Sequence, residues 1–226
     1  MLEARIARKA VPDGRVVIAQ FGLTLAAGEI TALVGPSGCG KTTILRIIAG
    51  LDTRFEGEVA WAGGVPGRIG TVFQEPRLLP WCTVAENIEL VRPADPALVP
   101  ALLDQLGVGG AAGLYPAALS GGMARRIALC RALAVAPDLL LLDEPFVSLD
   151  PVTAEACRVA LIEAWRVRPC AVLIVTHDMA EAASLADRIV VLSGSGPQDA
   201  SRIVEIPSAR RRGGIADGAR VAETLI

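Results

Sequence analysis

Histidine is nearly missing from this sequence, with His177 its single copy, and lysine is almost as scarce, with only Lys9 and Lys41. Five cysteines (Cys39, Cys82, Cys130, Cys157, Cys170) lie scattered and never form a CxxC pair. With one histidine they make no zinc-type ligand set, and their spacing gives no disulfide framework, so they read as reduced packing residues. No apolar run approaches the ~18 residues needed to span a bilayer. The opening MLEARIARKA alternates charge and lacks an apolar h-region, which excludes a secretory signal and points to the cytosol. Neither sign of charge dominates: 22 basic residues against 24 acidic ones leave a net charge of −2. That balance argues against a nucleic-acid binder held by phosphate contacts. The one dense basic run, Arg210-Arg211-Arg212, reads as a solvated tail.

What is present is a core. Of 226 residues, 52% are hydrophobic and 20% charged, enough for one large domain or a domain with a subdomain. Strands are expected at 16–25, 30–34, 58–62 and 69–73, with a helix at 42–49 stopped by Gly50. The texture then turns helical from Pro76 to about Ala136, with Thr83 and Glu86 spaced as a capping box. A short helix is expected at 101–106 and a longer one from Ser120 to Leu133. Strands return at 139–142, 171–175 and 188–192, separated by helices capped by Asp150 and Asp178, and 202–206 suits a last edge strand. Alternating strands and helices imply an α/β fold with a mainly parallel sheet. The division expected is a core of 1–75 and 137–206, a helical insertion of 76–136 and a tail of 207–226, within a single domain.

Chemistry enters with GPSGCGKTT, directly after the apolar run 30–34. Gly35-x4-Gly40-Lys41-Thr42 fits the phosphate-binding P-loop between a strand and a helix. Glycines let the backbone of Gly35, Pro36, Ser37, Gly38, Cys39 and Gly40 turn its N–H groups (all but the proline's) around an anion, and the helix starting near Lys41 adds its positive end. Lys41 reaches the β- and γ-phosphates, the Thr42 hydroxyl suits Mg²⁺, and Thr43 the α-phosphate. The run LLLLDE ends with Asp143 and Glu144 at a strand's carboxyl end, where open α/β sheets bind ligands. Asp143 would hold Mg²⁺ and Glu144 polarise the attacking water. Taken alone, Asp143-Glu144 also fits a strand ending in a solvated turn. Ser120-Gly121-Gly122 at a helix start makes a second anion-binding end.

The order P-loop, Gln74, LSGG, LLLLDEP, SLD and His177 resembles the ATP-binding-cassette ATPases over residues 1 to about 206. The resemblance implies a P-loop NTPase (RecA-like) fold with an N-terminal antiparallel β portion and an inserted α-helical subdomain. It also implies ATP and Mg²⁺ as ligands, and a homodimer in which each nucleotide lies between one P-loop and the other chain's LSGG helix. On that pattern Gln74 senses Mg²⁺ and the γ-phosphate, and Ser120, Gly121 and Gly122 meet the partner's ATP. Ser148-Leu149-Asp150 crosses the dimer seam, and His177 contacts the γ-phosphate.

Two departures stand out. The family usually carries an aromatic upstream of the P-loop to stack on adenine, whereas residues 10–14 contain none and Phe21 suits a core. The stretch 90–106 is short for the family's helical subdomain. The segment from Gln74 to Trp81, QEPRLLPW, together with LSGGM, resembles importer ATPases of the nitrate, sulfonate and taurine type. The resemblance implies a permease helix docking beside this segment, and an external binding protein delivering a small anion. Packing of Leu79 and Trp81 under the helical insertion is the alternative, and the two uses are compatible. The expected function is the ATP-hydrolysing subunit of such an importer, on the inner face of the membrane. Longer sugar-type cassettes add a regulatory domain after the region of Ile206, and none is expected here. Energising another cargo, or acting as a regulatory nucleotide-binding cassette, stays open.

Overall fold

A computed structural model describes residues 1–91, 93, 95–147 and 149–192, and the backbone of 201–205. Ser148, Ile206, the Arg210–Arg212 run and the tail expected at 207–226 lie outside the described residues. In chain order the strands and α-helices are β1 (Leu2–Ala10), β2 (Val16–Leu25), β3 (Ile30–Val34), α1 (Lys41–Ile48), β4 (Glu56–Trp61), β5 (Ile69–Val72), α2 (Val84–Glu89), α3 (Leu98–Gln105), α4 (Gly121–Ala134), β6 (Leu139–Asp143), α5 (Pro151–Val167), β7 (Ala171–Thr176), α6 (Met179–Leu185), β8 (Arg188–Leu192) and β9 (Ser201–Glu205). They fall into two compact units, one built from Met1–Pro66 with the described residues from Ala171 on, the other from Gly67–Cys170.

The first unit holds two sheets. One is antiparallel, with β1 between β2 and β4. Strand β1 alternates apolar and charged residues, so Leu2, Ala4 and Ile6 share one buried face and sit opposite Leu25, Leu23 and Phe21. Phe21 is therefore core. The alternation that looks like charged surface from the sequence is the period of a half-buried strand. Lys9, near the end of β1, is itself buried and joins Asp52 at 2.6 Å while donating to the Arg54 carbonyl at 2.8 Å.

In the second sheet β3 lies between β7 and β8, all parallel, and β9 pairs antiparallel with β8. Every residue of β3 and of β7 is buried, which explains their unbroken apolar sequences. Helix α6 covers one face through Ala182, Ala183 and Ala186 against Ala32, Val34 and Ile189. Helix α1 buries Ile44, Leu45, Ile47 and Ile48, each contributing about 1.5–3 kcal/mol by transfer from water.

The second unit pairs β5 with β6 in parallel and packs α4 on β5. The approach is close: a Cβ on Gly70 would stand 2.3 Å from the Ala132 carbonyl oxygen. Helix α3 begins at Leu98, ahead of the expected Ala101, because Pro100 falls in the first turn, where its missing N–H has no helical partner to lose. All five cysteines are free. Cys39, Cys130, Cys157 and Cys170 are buried and Cys82 is half-buried. Burial pushes the Cys130 thiol up to about 12 and that of Cys170 up to about 11.

Candidate functional site

In the first unit Val34 stands opposite Thr176 across the β3–β7 ladder. The next residues, Gly35 and His177, thus leave the sheet together at its carboxyl edge. Two loop glycines have left-handed backbones, Gly38 at φ 81° and Gly40 at φ 103°. An L-side chain at either would strain the turn that brings successive N–H groups inward. Gly35 is excluded from carrying a side chain on other grounds, since a Cβ would lie 2.9 Å from Cys39 Sγ and 3.0 Å from the Leu192 carbonyl. Gly40 is also the N-cap of α1 and supplies no capping side chain. Pro36, Ser37, Gly38 and Thr42 are exposed, Thr43 is half-buried and Cys39 is buried beneath them.

Lys41 is 5% exposed, and its Nζ donates to the carbonyls of Gly35 (2.7 Å) and Pro36 (2.9 Å). The ammonium is thus held inside the ring of the loop. His177 is exposed and sits between two anchored neighbours. The Thr176 hydroxyl accepts from the Asp178 N–H at 3.1 Å, and Asp178 caps α6 by accepting from Ala180 (2.8 Å) and Glu181 (3.1 Å). A side chain on such a fixed backbone presents one position to a ligand.

The second unit repeats the logic. Val72 pairs with Leu142, so Gln74 and Asp143–Glu144 follow at the same edge of the β5–β6 pair. Gln74 is exposed, whereas Asp143 is only 4% exposed. Glu144 is half-buried and has a positive φ of 47°, unusual for a side chain of its size. Ser120 caps α4, accepting from the Met123 N–H at 3.2 Å. A Cβ on Gly122 would lie 2.8 Å from Thr153 Cγ2, so glycine there lets the first turn of α4 rest on α5. Asp150 caps α5 by accepting from the Thr153 N–H at 3.0 Å. Hydrogen bonds from Thr153 hold its carboxyl below the usual aspartate range. Gly121 is exposed.

The segment after Gln74 is built more firmly than its sequence suggests. Asn87 is fully buried; its Oδ1 accepts from the Leu79 N–H at 2.7 Å. Its Nδ2 donates to the carbonyls of Leu79 (3.2 Å), Cys82 (3.1 Å) and Thr83 (2.9 Å). The expected Thr83–Glu86 capping box is formed. On this tethered loop Leu79 is half-buried and Trp81 is 72% exposed. Sequence reading passed over Asn87 because an asparagine in a polar helix carries no signal of its own.

Residues 18–147 match the ABC transporter family. The chain belongs to that family. Across 94% of its length it is 44% identical to the "Aliphatic sulfonates import ATP-binding protein" of Burkholderia cenocepacia, covering 80% of that protein. It is 45% identical to the protein of the same description from Pseudomonas aeruginosa, over 91% of this chain and 86% of the other. A dimeric ATP-binding cassette solved in a post-hydrolysis state with ADP and phosphate superposes with a TM-score of 0.77 at 28% identity, over 92% of this chain and all of that one. A second dimeric structure of that same cassette gives 0.79 at the same identity and coverage. This cassette accordingly has the mixed α/β fold of a P-loop NTPase and is an ABC-type ATPase. No helix among the described residues is long and apolar enough to cross a membrane.

Proposed function

We propose that this cassette hydrolyses ATP to drive uptake of a small organic sulfonate or a related anion. Two copies would sit beneath two membrane permease subunits on the cytoplasmic face. The observation carrying this reading is the 44% identity, over nearly the whole chain, to aliphatic sulfonate import ATPases. An extracytoplasmic binding protein delivers the cargo, and the permease docks on the segment from Gln74 to Trp81, where the exposed Trp81 supplies an aromatic anchor.

The proposed roles combine the chemistry of each residue with its place in the family pattern. Residues 35–43 cradle the triphosphate, and Lys41 exchanges its two loop carbonyls for phosphate oxygens. Thr42, Asp143 and Gln74 offer a hydroxyl, a buried carboxylate and an amide, the hard oxygen donors that suit Mg²⁺. When bound, the ion neutralises phosphate charge. Glu144 takes a proton from the attacking water, and His177 with Lys41 stabilises charge growing on the γ-phosphate. Ser120, Gly121 and Gly122 close on the partner's nucleotide, with Asp150 at the seam between the copies. Gln74, beside the docking segment, links occupancy of the site to the permease.

The test is reconstitution of the full chain with a permease and a sulfonate-binding protein in vesicles. Sulfonate-loaded binding protein should raise ATP turnover and draw sulfonate inside, and Trp81→Ala should abolish that stimulation. Turnover indifferent to every loaded binding protein, with no uptake, would remove the import reading while leaving the ATPase intact.

A further inference from the structure

Three arginines of α4 behave alike. Each donates to two consecutive main-chain carbonyls of a different loop. Arg125 Nη1 reaches Glu144 (3.2 Å) and Pro145 (3.3 Å). Arg126 Nη1 reaches Leu106 (3.2 Å) and Gly107 (3.3 Å). Arg131 reaches Arg77 and Pro76 through its two terminal nitrogens, each at 2.9 Å. Carbonyl pairs suit a planar guanidinium with several fixed donors and suit a point ammonium poorly.

The Arg125 pair is the consequential one, because its carbonyls flank the peptide that follows Glu144. With φ at 47°, Glu144 occupies a left-handed region that a non-glycine residue keeps only where the surroundings impose it. The residue after it is proline, which brings no N–H to brace the turn. Arg125 adds a side-chain donor to the Glu144 carbonyl, which also accepts from the Val147 N–H at 3.3 Å, and it lies half-buried among Leu129, Leu142, Phe146 and Cys157. It also stands five residues past Ser120, about 7.5 Å along the helix axis, on a helix whose first turn is pressed against α5 at Gly122.

We propose that Arg125 is a positioning residue for hydrolysis: by gripping the carbonyls of Glu144 and Pro145 it fixes where the Glu144 carboxylate stands, and it ties that carboxylate to the helix that begins at Ser120. The proposal rests on the reading of Glu144 as the base and goes beyond it. A shift of the Ser120 end, on meeting the partner's nucleotide, reaches the base through one side chain. Each active site would then report its closure by helix to the carboxylate in the same chain.

The experiment compares Arg125→Met, Arg125→Lys, Asp52→Asn and Glu144→Gln in the full chain. Readouts are kcat, KM, nucleotide affinity and thermal unfolding. Methionine keeps an apolar stem and removes every donor, lysine keeps a single donor nitrogen, and Asp52→Asn, which breaks the Lys9 pair away from the nucleotide motifs, serves as the stability control. Arg125→Met should lower kcat about 10- to 100-fold with KM and ATP affinity within about twofold. Arg125→Lys should recover kcat to about a third of the parent's, and Asp52→Asn should keep it within about twofold while losing thermal stability. Parental kcat in Arg125→Met, or an equal loss in Asp52→Asn, overturns the proposal. Should Arg125→Met not fold, Arg125→Lys decides: reduced kcat at the parent's KM supports the clamp, and unreduced kcat overturns it. Normal turnover in Glu144→Gln overturns the base and the clamp together. A silent Glu144→Gln beside a fully active Arg125→Met overturns the clamp alone.

Discussion

Glu144 and Asp52 are both carboxylates fixed by their neighbours, the first the proposed base and the second half of an ion pair. Glu144→Gln keeps the side chain's size and removes its basicity. ATP binding should persist, and turnover should fall about 100-fold or more in a steady-state phosphate-release assay. Asp52 lies outside the nucleotide motifs and answers the buried ammonium of Lys9. The hydrogen bond from Lys9 holds its carboxyl below the ordinary value of 3.8. A group whose folded value is depressed contributes stability that is present above 3.8 and lost as pH falls through the lower folded value. Asp52→Asn should therefore cost about 1–3 kcal/mol near neutrality and lower Tm by several degrees. The gap between variant and parent should narrow below about pH 4, as melts across a pH series would reveal. Motif spacing revealed the first of these carboxylates in the sequence. The second was hidden, because a partner 43 positions away leaves no local trace.

Among elements, the strands of the parallel sheet were legible because double-sided burial leaves unbroken apolar runs such as 139–142 and 171–175. Helix starts were legible because Ser120, Asp150 and Asp178 are capping residues, and each makes its cap bond. Strand β1 was not legible: its period-two pattern carries arginine and glutamate on the open face and resembles surface chain. The arginine clamps of α4 were hidden too, since a residue's type does not say which carbonyls it will find. The Asn87 tether belongs here. Asn87→Ala strands the Leu79 N–H and removes the donors to three carbonyls, costing about 2–4 kcal/mol. Asn87→Asp should cost at least as much near neutrality, because its charge would face those same carbonyls. Faster proteolytic cleavage between 79 and 83, along with a lower Tm, would mark the loosened loop.

At the scale of the molecule, the proposed pairing of two copies makes a prediction about concentration. ATP turnover per chain should rise with protein concentration and then level off. Glu144→Gln should run as a dimer in sedimentation with ATP and as a monomer without it. A flat specific activity with a purely monomeric ATP-bound variant would remove the pairing.

Cys82 is half-buried in the loop that carries Trp81, while the other four thiols are shielded by the fold, with those of Cys130 and Cys170 held protonated far above neutral pH. The native chain therefore carries its own attachment point for a fluorophore or spin label, beside the segment proposed to receive the permease. A maleimide dye placed there would report arrival of a partner in real time, without a cysteine-free background having to be engineered first.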